Sequence, residues 1–255
     1  MAKVAVLIHG MWATPVVWGK WRAFLETRGW QVITPALRHH EAPQISPPPG
    51  LGAASLLDYA ADLDAMIRRL PEKPVLIGHS MGGLLALILC ARGLARAAVL
   101  LTPAAPAGVI ALRPANVWAF ARIQLNWAWW RKPHRATLRE ALSHTFNTTD
   151  PQEGAAAYAG FVSESGRALF EAALPWLDSG KAATVDPRQV TVPLLFVAAD
   201  RDRLTPPGVV RRTAWRFRSV ADYAEYPDQG HWVLGQPGWQ RIADDTVAWL
   251  DGKAA

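Results

Sequence analysis

Short apolar runs rich in valine, leucine and isoleucine recur along the first hundred residues. Lys3–Ile8, Gln31–Thr34, Val75–Ile77 and Ala97–Thr102 have no polar alternation, the pattern of strands covered on both faces. Longer stretches with apolar residues at the helical period lie between them. Val16–Arg28 places Trp18, Trp21, Phe24 and Leu25 on one face and closes at Gly29. Ser55 is positioned to cap a helix whose Leu56, Tyr59, Leu63, Met66, Ile67 and Leu70 follow the 3.6-residue repeat. Leu84–Leu89 suits a buried helix. Strand and helix in alternation imply an α/β fold, a mostly parallel sheet flanked by helices and joined by right-handed crossovers. The proline-rich stretch Pro35–Ala54, with Pro47-Pro48-Pro49-Gly50 at its centre, is expected to be loop.

The pattern changes at Pro103. From there to about Asp186 no strand is apparent, and a helical composition is broken by Pro114, Pro133, Pro151 and Pro175. Aromatic residues crowd this stretch, among them Trp118, Trp127, Trp129, Trp130, Phe146, Phe161 and Phe170. Strand character returns at Val192–Ala199. Arg211–Arg218 falls on a helix, Val220–Tyr226 reads as an edge strand, and Trp239–Leu250 as the closing helix. The expected organisation is one α/β core, residues 1–102 and 187–255, divided by a helical insertion at 103–186.

Composition narrows the function classes. A chain of 255 residues is ample for a large core. Its thirteen tryptophans imply that many line a core or an apolar cavity, because so much aromatic surface is seldom left in water. The single cysteine, Cys90, excludes an intrachain disulfide or a multi-cysteine metal site and is expected to pack in the core. The formal charge of +6 comes from scattered arginines, with no module that would bind nucleic acid. No apolar run reaches the length of a membrane span, and Val4–Ile8 lacks the flanks of a signal peptide, so a cytoplasmic location is expected.

The chemistry centres on Val75–Gly83. A buried strand runs into Gly78-His79-Ser80-Met81-Gly82, a G-x-S-x-G pentapeptide, and then into an apolar helix. A sharp turn of this kind strains the serine and exposes its hydroxyl at the carboxyl end of the sheet, with helix N-terminal amides behind it. The plainer alternative is a glycine-rich turn with a capping serine. A serine hydroxyl attacks only when a base takes its proton, and the base needs a carboxylate to fix its tautomer. After the insertion His231 is the one histidine, in a loop between the last strand and the last helix. Asp200 and Asp202 both follow Val192–Ala199; Asp202 is preferred because its loop, Asp-Arg-Leu-Thr-Pro-Pro, is fixed by prolines. Two backbone donors for an oxyanion are expected, the amide of Met81 and that of Met11, with Trp12 the alternative. His9 is expected to hold its own loop and His79 to pack beside the serine. His39, His40, His134 and His144 lack carboxylates or cysteines at metal-ligand spacing, so no metal and no cofactor is expected.

His9-Gly10-Met11-Trp12, Gly78–Gly83, Asp202-Arg203-Leu204-Thr205-Pro206 and Gly230-His231-Trp232 together resemble the α/β-hydrolase superfamily, in its serine esterase and lipase-like branch. A start directly on the strand before His9-Gly10 resembles the compact esterase and hydroxynitrile-lyase group. Serine at position 80, where dehalogenases and epoxide hydrolases carry aspartate, argues against an alkyl-enzyme ester. Trp232 after His231, where the related lyases carry lysine, argues against cyanide chemistry. The resemblance implies a carboxylic ester hydrolase with Ser80 as nucleophile, His231 as base and Asp202 as its orienting acid. It also implies that 103–186 is a helical cap, or lid, over a pocket bordered by Trp12, His79, Trp118, Trp127, Trp130 and Trp232, taking a small apolar ester. The same residues would serve a thioesterase, a lactonase, a C–C hydrolase or a cofactor-free perhydrolase, and a catalytically silent receptor is the non-enzyme alternative. The oligomeric state, monomer or homodimer, is left open.

Overall fold

The apolar runs become strands because both of their faces find cover. The computed structural model describes residues 3–41, 46–110, 123 and 125–253. Among them, β1 (Val4–Ile8), β2 (Gln31–Ile33), β3 (Val75–His79), β4 (Ala97–Leu101), β7 (Leu194–Ala199) and β8 (Ala221–Tyr226) form one sheet in the order β2-β1-β3-β4-β7-β8. Every pair in it is parallel. Side chains of successive residues point to opposite faces. Val6, Ile8, Leu76, Ala98 and Leu100 pack on one side with helices α2 (Leu56–Ile67), α3 (Met81–Ala91) and α7 (Pro207–Arg216). Ala5, Leu7, Ile77, Val99 and Leu101 pack on the other with α1 (Gly19–Glu26) and α8 (Trp239–Lys253). Much of the aromatic surface is spent here: Trp18 and Trp21 are wholly buried and meet edge to face, 6.0 Å between ring centroids.

The order of the strands positions the site. From β1 the chain moves out to β2, then returns to the far side of β1 as β3 and continues towards β8. At such a reversal neighbouring crossovers leave the sheet on opposite faces and open a crevice at the carboxyl edge. The loop after β1 and the turn after β3 therefore emerge side by side, with Ile8 in register with Gly78. The turn is held by glycines that leave no room for a side chain. A Cβ at Gly78 would overlap the carbonyl of Gly82, and one at Gly82 would overlap those of Ile8 and His9. From Met81 through Cys90, α3 is buried throughout, so the helix that follows the turn cannot tilt to relieve the contact. Cys90 is a core residue, its thiol pushed up to about 12 by burial.

Between β4 and β7 the chain leaves the sheet for helices α4 (Leu138–His144), α5 (Pro151–Ala159) and α6 (Gly166–Ala173). The expectation of no strand in this stretch is corrected. Pro133–His134 (β5) pairs antiparallel with Glu164–Ser165 (β6). Two-residue strands built from Pro-His and Glu-Ser carry no apolar alternation, so periodicity could not reveal them. The ends of the inserted segment meet where the Ala107 amide donates to the Ala183 carbonyl at 2.8 Å. Within the Pro35–Ala54 loop, Leu51–Ala53 forms a short 3-10 turn.

Gly82→Ala is expected to lower the unfolding free energy by about 3 kcal/mol, the upper range for overpacking, because the added methyl meets backbone that cannot yield. Urea unfolding checks it; an unchanged midpoint would mean that α3 can shift.

Candidate active site

Ser80 occupies the tightest point of the β3–α3 turn, at φ 54 and ψ −119. A non-glycine residue in that region carries about 1–3 kcal/mol of strain and persists only where its surroundings dictate it. They do so on three sides. The Ser80 amide donates to the Leu101 carbonyl at 3.0 Å, and its carbonyl accepts from Gly83 at 2.9 Å and from Ala104 at 2.9 Å. Met81 begins α3, so its amide belongs to the first turn, whose N–H groups have no partner within the helix. Across the crevice, a Cβ on Gly10 would stand 3.0 Å from the Ser80 Cβ. The peptide joining Gly10 to Met11 therefore passes directly beside the serine.

That peptide is held by His9. The fully buried imidazole donates from Nδ1 to the Gly10 carbonyl at 3.0 Å and accepts the Leu37 amide on Nε2 at 3.2 Å. An amide can only donate, so the tautomer is fixed with the proton on Nδ1. The carbonyl that His9 grips shares its peptide plane with the Met11 N–H, and fixing one aims the other. Burial, reinforced by the neighbouring His40, lowers the His9 pKa to about 4.

The loop after β7 delivers Asp202 and the loop after β8 delivers His231, 4 % and 2 % exposed. His231 donates from Nδ1 to Asp202 Oδ2 at 2.8 Å, which leaves Nε2 as the basic nitrogen. The carboxylate is fully supplied with donors. Its Oδ1 accepts the amides of Leu204 at 2.8 Å and Thr205 at 2.9 Å, and Oδ2 lies 2.8 Å from the Thr205 hydroxyl. Burial alone would raise its pKa, but the charge and hydrogen bond of His231 and the Thr205 donors outweigh it and hold the group below the ordinary value. His79 ties this couple to the serine turn: its Nε2–H donates to the His231 carbonyl at 2.9 Å, and the two rings lie 4.9 Å apart. Burial and the proximity of His231 lower the His79 pKa to about 3. His9 and His79 are thus fixed neutral donors.

The other candidates fall in different places. Asp200 accepts the Gln229 amide at 3.2 Å, and Asp228 pairs with Arg201, so neither orients His231. Trp12 is 6 % exposed and Trp232 8 %; the latter packs on His79 at 6.1 Å and on Phe146 of the inserted segment at 5.0 Å. Trp130 is half-buried between Trp129 and Phe170. Trp127 is 84 % exposed, so its indole faces water and not an enclosed pocket. Trp118 lies outside the described residues. Among the described residues no group of three or more histidine, cysteine or acidic side chains is arranged to hold a metal ion, and none of them is part of a helix able to cross a membrane. Thr205 escaped notice in the sequence. The signal was present, since a threonine three residues after an aspartate is placed to return a hydrogen bond within the same turn.

Two outcomes follow from these contacts. Asp202→Asn is expected to lower kcat by about 10^4-fold while Asp200→Asn stays near wild type, measured on any ester the protein turns over; the reverse order would exchange the two. Below pH 6.5 the unfolded chain protonates its histidines while His9 and His79 stay neutral. Unfolding free energy should therefore fall by up to about 1.4 kcal/mol per pH unit for each of them between about pH 6.5 and pH 4. Urea titrations at pH 7 and pH 5 read this, and equal stability at both would show that the two rings accept protons in place.

The sequence profile of the alpha/beta hydrolase family matches residues 5–243. Among solved structures, a methylesterase from Arabidopsis aligns with a TM-score of 0.71 at 14 % identity, covering 96 % of this chain and 98 % of its own. A monoacylglycerol lipase from Paleococcus ferrophilus gives 0.71 at 19 %, covering 98 % and 95 %. A pyrethroid hydrolase from Sphingobium faniae JZ-2 gives 0.75 at 18 %, covering 100 % and 99 %. A search of curated protein sequences returns no match. At these identities the structural likeness speaks for the fold, and the profile extends over almost the whole length. The chain belongs to the alpha/beta hydrolase family.

Proposed function

We propose that the protein hydrolyses carboxylic esters of small apolar substrates through an acyl-enzyme formed on Ser80. The observation that carries this reading is the buried His231–Asp202 couple, 2.8 Å apart, tied through His79 to the strained turn of Ser80. In the first half-reaction Ser80 Oγ bonds to the ester carbonyl carbon and its proton passes to His231 Nε2. The carbonyl π pair moves onto oxygen, where the amides of Met81 and Met11 receive it; each such donor contributes roughly 3 kcal/mol. Collapse breaks the bond to the leaving alkoxide, which takes the proton from His231. A water then gives its proton to His231, attacks the acyl carbon and releases the acid, and Ser80 recovers its hydrogen. Asp202 stays ionised and stabilises the imidazolium formed in each half.

Family membership supports hydrolysis. The methylesterase and the lipase among the structural relatives favour an ester bond. The aromatic side chains of Trp12, Trp232 and Phe146 favour an apolar acyl or alcohol group, with residues 103–186 as the cap that excludes water.

Wild type should turn over p-nitrophenyl acyl esters and take up a fluorophosphonate, whereas Ser80→Ala and His231→Ala should retain the fold and lose turnover by about 10^4-fold or more. A panel of esters, thioesters and lactones at matched acyl length ranks the scissile bond. No labelling and no turnover across the panel would falsify the catalytic reading in favour of a binding protein.

A further inference from the structure

The inserted segment sends a carboxylate into the core, and it arrives beside the loop that follows β1. Glu164, in β6, is 1 % exposed. Its Oε1 accepts from the Tyr59 hydroxyl at 2.8 Å and the Ser165 amide at 2.7 Å, and its Oε2 faces His40 Nε2 at 3.3 Å. His40 is wholly buried and donates from Nδ1 to the Arg38 carbonyl at 2.9 Å. A carbonyl has no proton to give, so Nδ1 carries one, and Nε2 can face a carboxylate only with a second. With that second proton the two groups form an ion pair inside the protein, 3.3 Å apart. Burial opposes both charges, yet Glu164 with the Arg38 carbonyl raises His40, and His40 with the Tyr59 and Ser165 donors lowers Glu164.

The same antiparallel pair and the residues leading into it grip Trp12. The carbonyl of His134, the register partner of Glu164, accepts the Trp12 indole N–H at 3.1 Å, and the Val162 amide donates to the Trp12 carbonyl at 2.7 Å. Trp12 sits at φ 61, a left-handed conformation that costs a non-glycine residue about 1–2 kcal/mol, so these bonds hold it against its own preference. On the other side of Met11, the ring of His9 packs on that of His40, 5.5 Å between centroids. The inserted segment thus reaches both flanks of Met11, bonding Trp12 directly and touching the ring that holds the Gly10 carbonyl through His40.

We infer that Glu164 is a positioning residue for the Met11 oxyanion donor, acting through His40 on one flank of the loop and through the β5–β6 pair on the other. The inference rests on the serine-hydrolase reading of Ser80. A displaced donor weakens the tetrahedral species far more than the bound ester, since the full negative charge exists only there.

The test compares full-length wild type, Glu164→Gln, Trp12→Phe and Glu171→Gln. Glu171 is a second buried carboxylate of the inserted segment, but it serves Ser55 and Leu56 at the start of α2. Each protein is assayed for p-nitrophenyl butyrate turnover and for inhibition by an alkyl trifluoromethyl ketone. Ser80 Oγ adds to the ketone carbonyl, His231 takes the serine proton, and the oxyanion mimics the intermediate. Glu164→Gln and Trp12→Phe should each lower kcat by about tenfold to a hundredfold with ketone affinity falling in step with kcat, and Glu164→Gln, whose side chain lies away from the pocket, should keep KM within about twofold. Glu171→Gln should lower Tm and leave kcat and ketone affinity near wild type. If Glu164→Gln does not fold, Trp12→Phe carries the same readout. Unchanged ketone affinity in the folded variants, or a loss in Glu171→Gln equal to theirs, overturns the inference. Wild type that neither turns over the ester nor labels with a fluorophosphonate overturns the serine reading instead.

Discussion

The buried bond between His231 and Asp202 sets the terms for the rest of the carboxyl edge. An ionised carboxylate with 4 % exposure is tolerable only when every lone pair is answered, because leaving one such charge uncompensated costs several kcal/mol. The structure supplies the amides of Leu204 and Thr205, the Thr205 hydroxyl and the imidazole. These donors come from two loops, so the loops after β7 and β8 cannot settle independently. Thr205 extends the constraint inward, since its hydroxyl also lies 3.0 Å from the carbonyl of Thr102. That residue stands at φ 41 where β4 gives way to the inserted segment. Charge satisfaction in the interior thus dictates loop geometry at the surface.

Four histidines cluster around this edge and are kept in different roles by what faces their second nitrogen. His9 meets an amide donor and His79 a carbonyl, and burial keeps both neutral. His40 meets a carboxylate and is held protonated. His231 has its Nδ1 committed to Asp202, leaving the opposite nitrogen for chemistry. One side-chain type serves as tether, brace and counter-ion, and in the proposed reaction as base, according to local hydrogen bonding alone.

Much of this was legible in the chain. The runs at Lys3–Ile8, Val75–Ile77 and Ala97–Thr102 announced themselves because strands covered on both faces have no polar alternation to confuse the reading. Ser80, Asp202 and His231 stood out because a strand-to-helix turn and two loops at strand ends leave few alternatives. The inserted segment resisted for a physical reason. Its β5–β6 pair is two residues long on each strand and is stabilised by groups far away in sequence, among them Trp12, His40 and Tyr59. His40 looked like one of several loop histidines; its partner lies 124 positions on, at Glu164, and no local pattern joins them. The tryptophan count pointed to a core or an apolar cavity without choosing between them, and Trp18, Trp21 and Trp30 lie in the core. Aromatic content reports burial without saying where.

The bond between Ala107 and Ala183 closes a neck at which the excursion from the sheet begins and ends. The Ala104 amide, which binds the Ser80 carbonyl, lies on the sheet side of that neck. The excursion is therefore a cassette with a natural seam. A foreign cassette spliced at the seam would inherit an intact Ser80 turn but not the Glu164 anchor. It would have to bring its own answer to His40 and to the indole of Trp12.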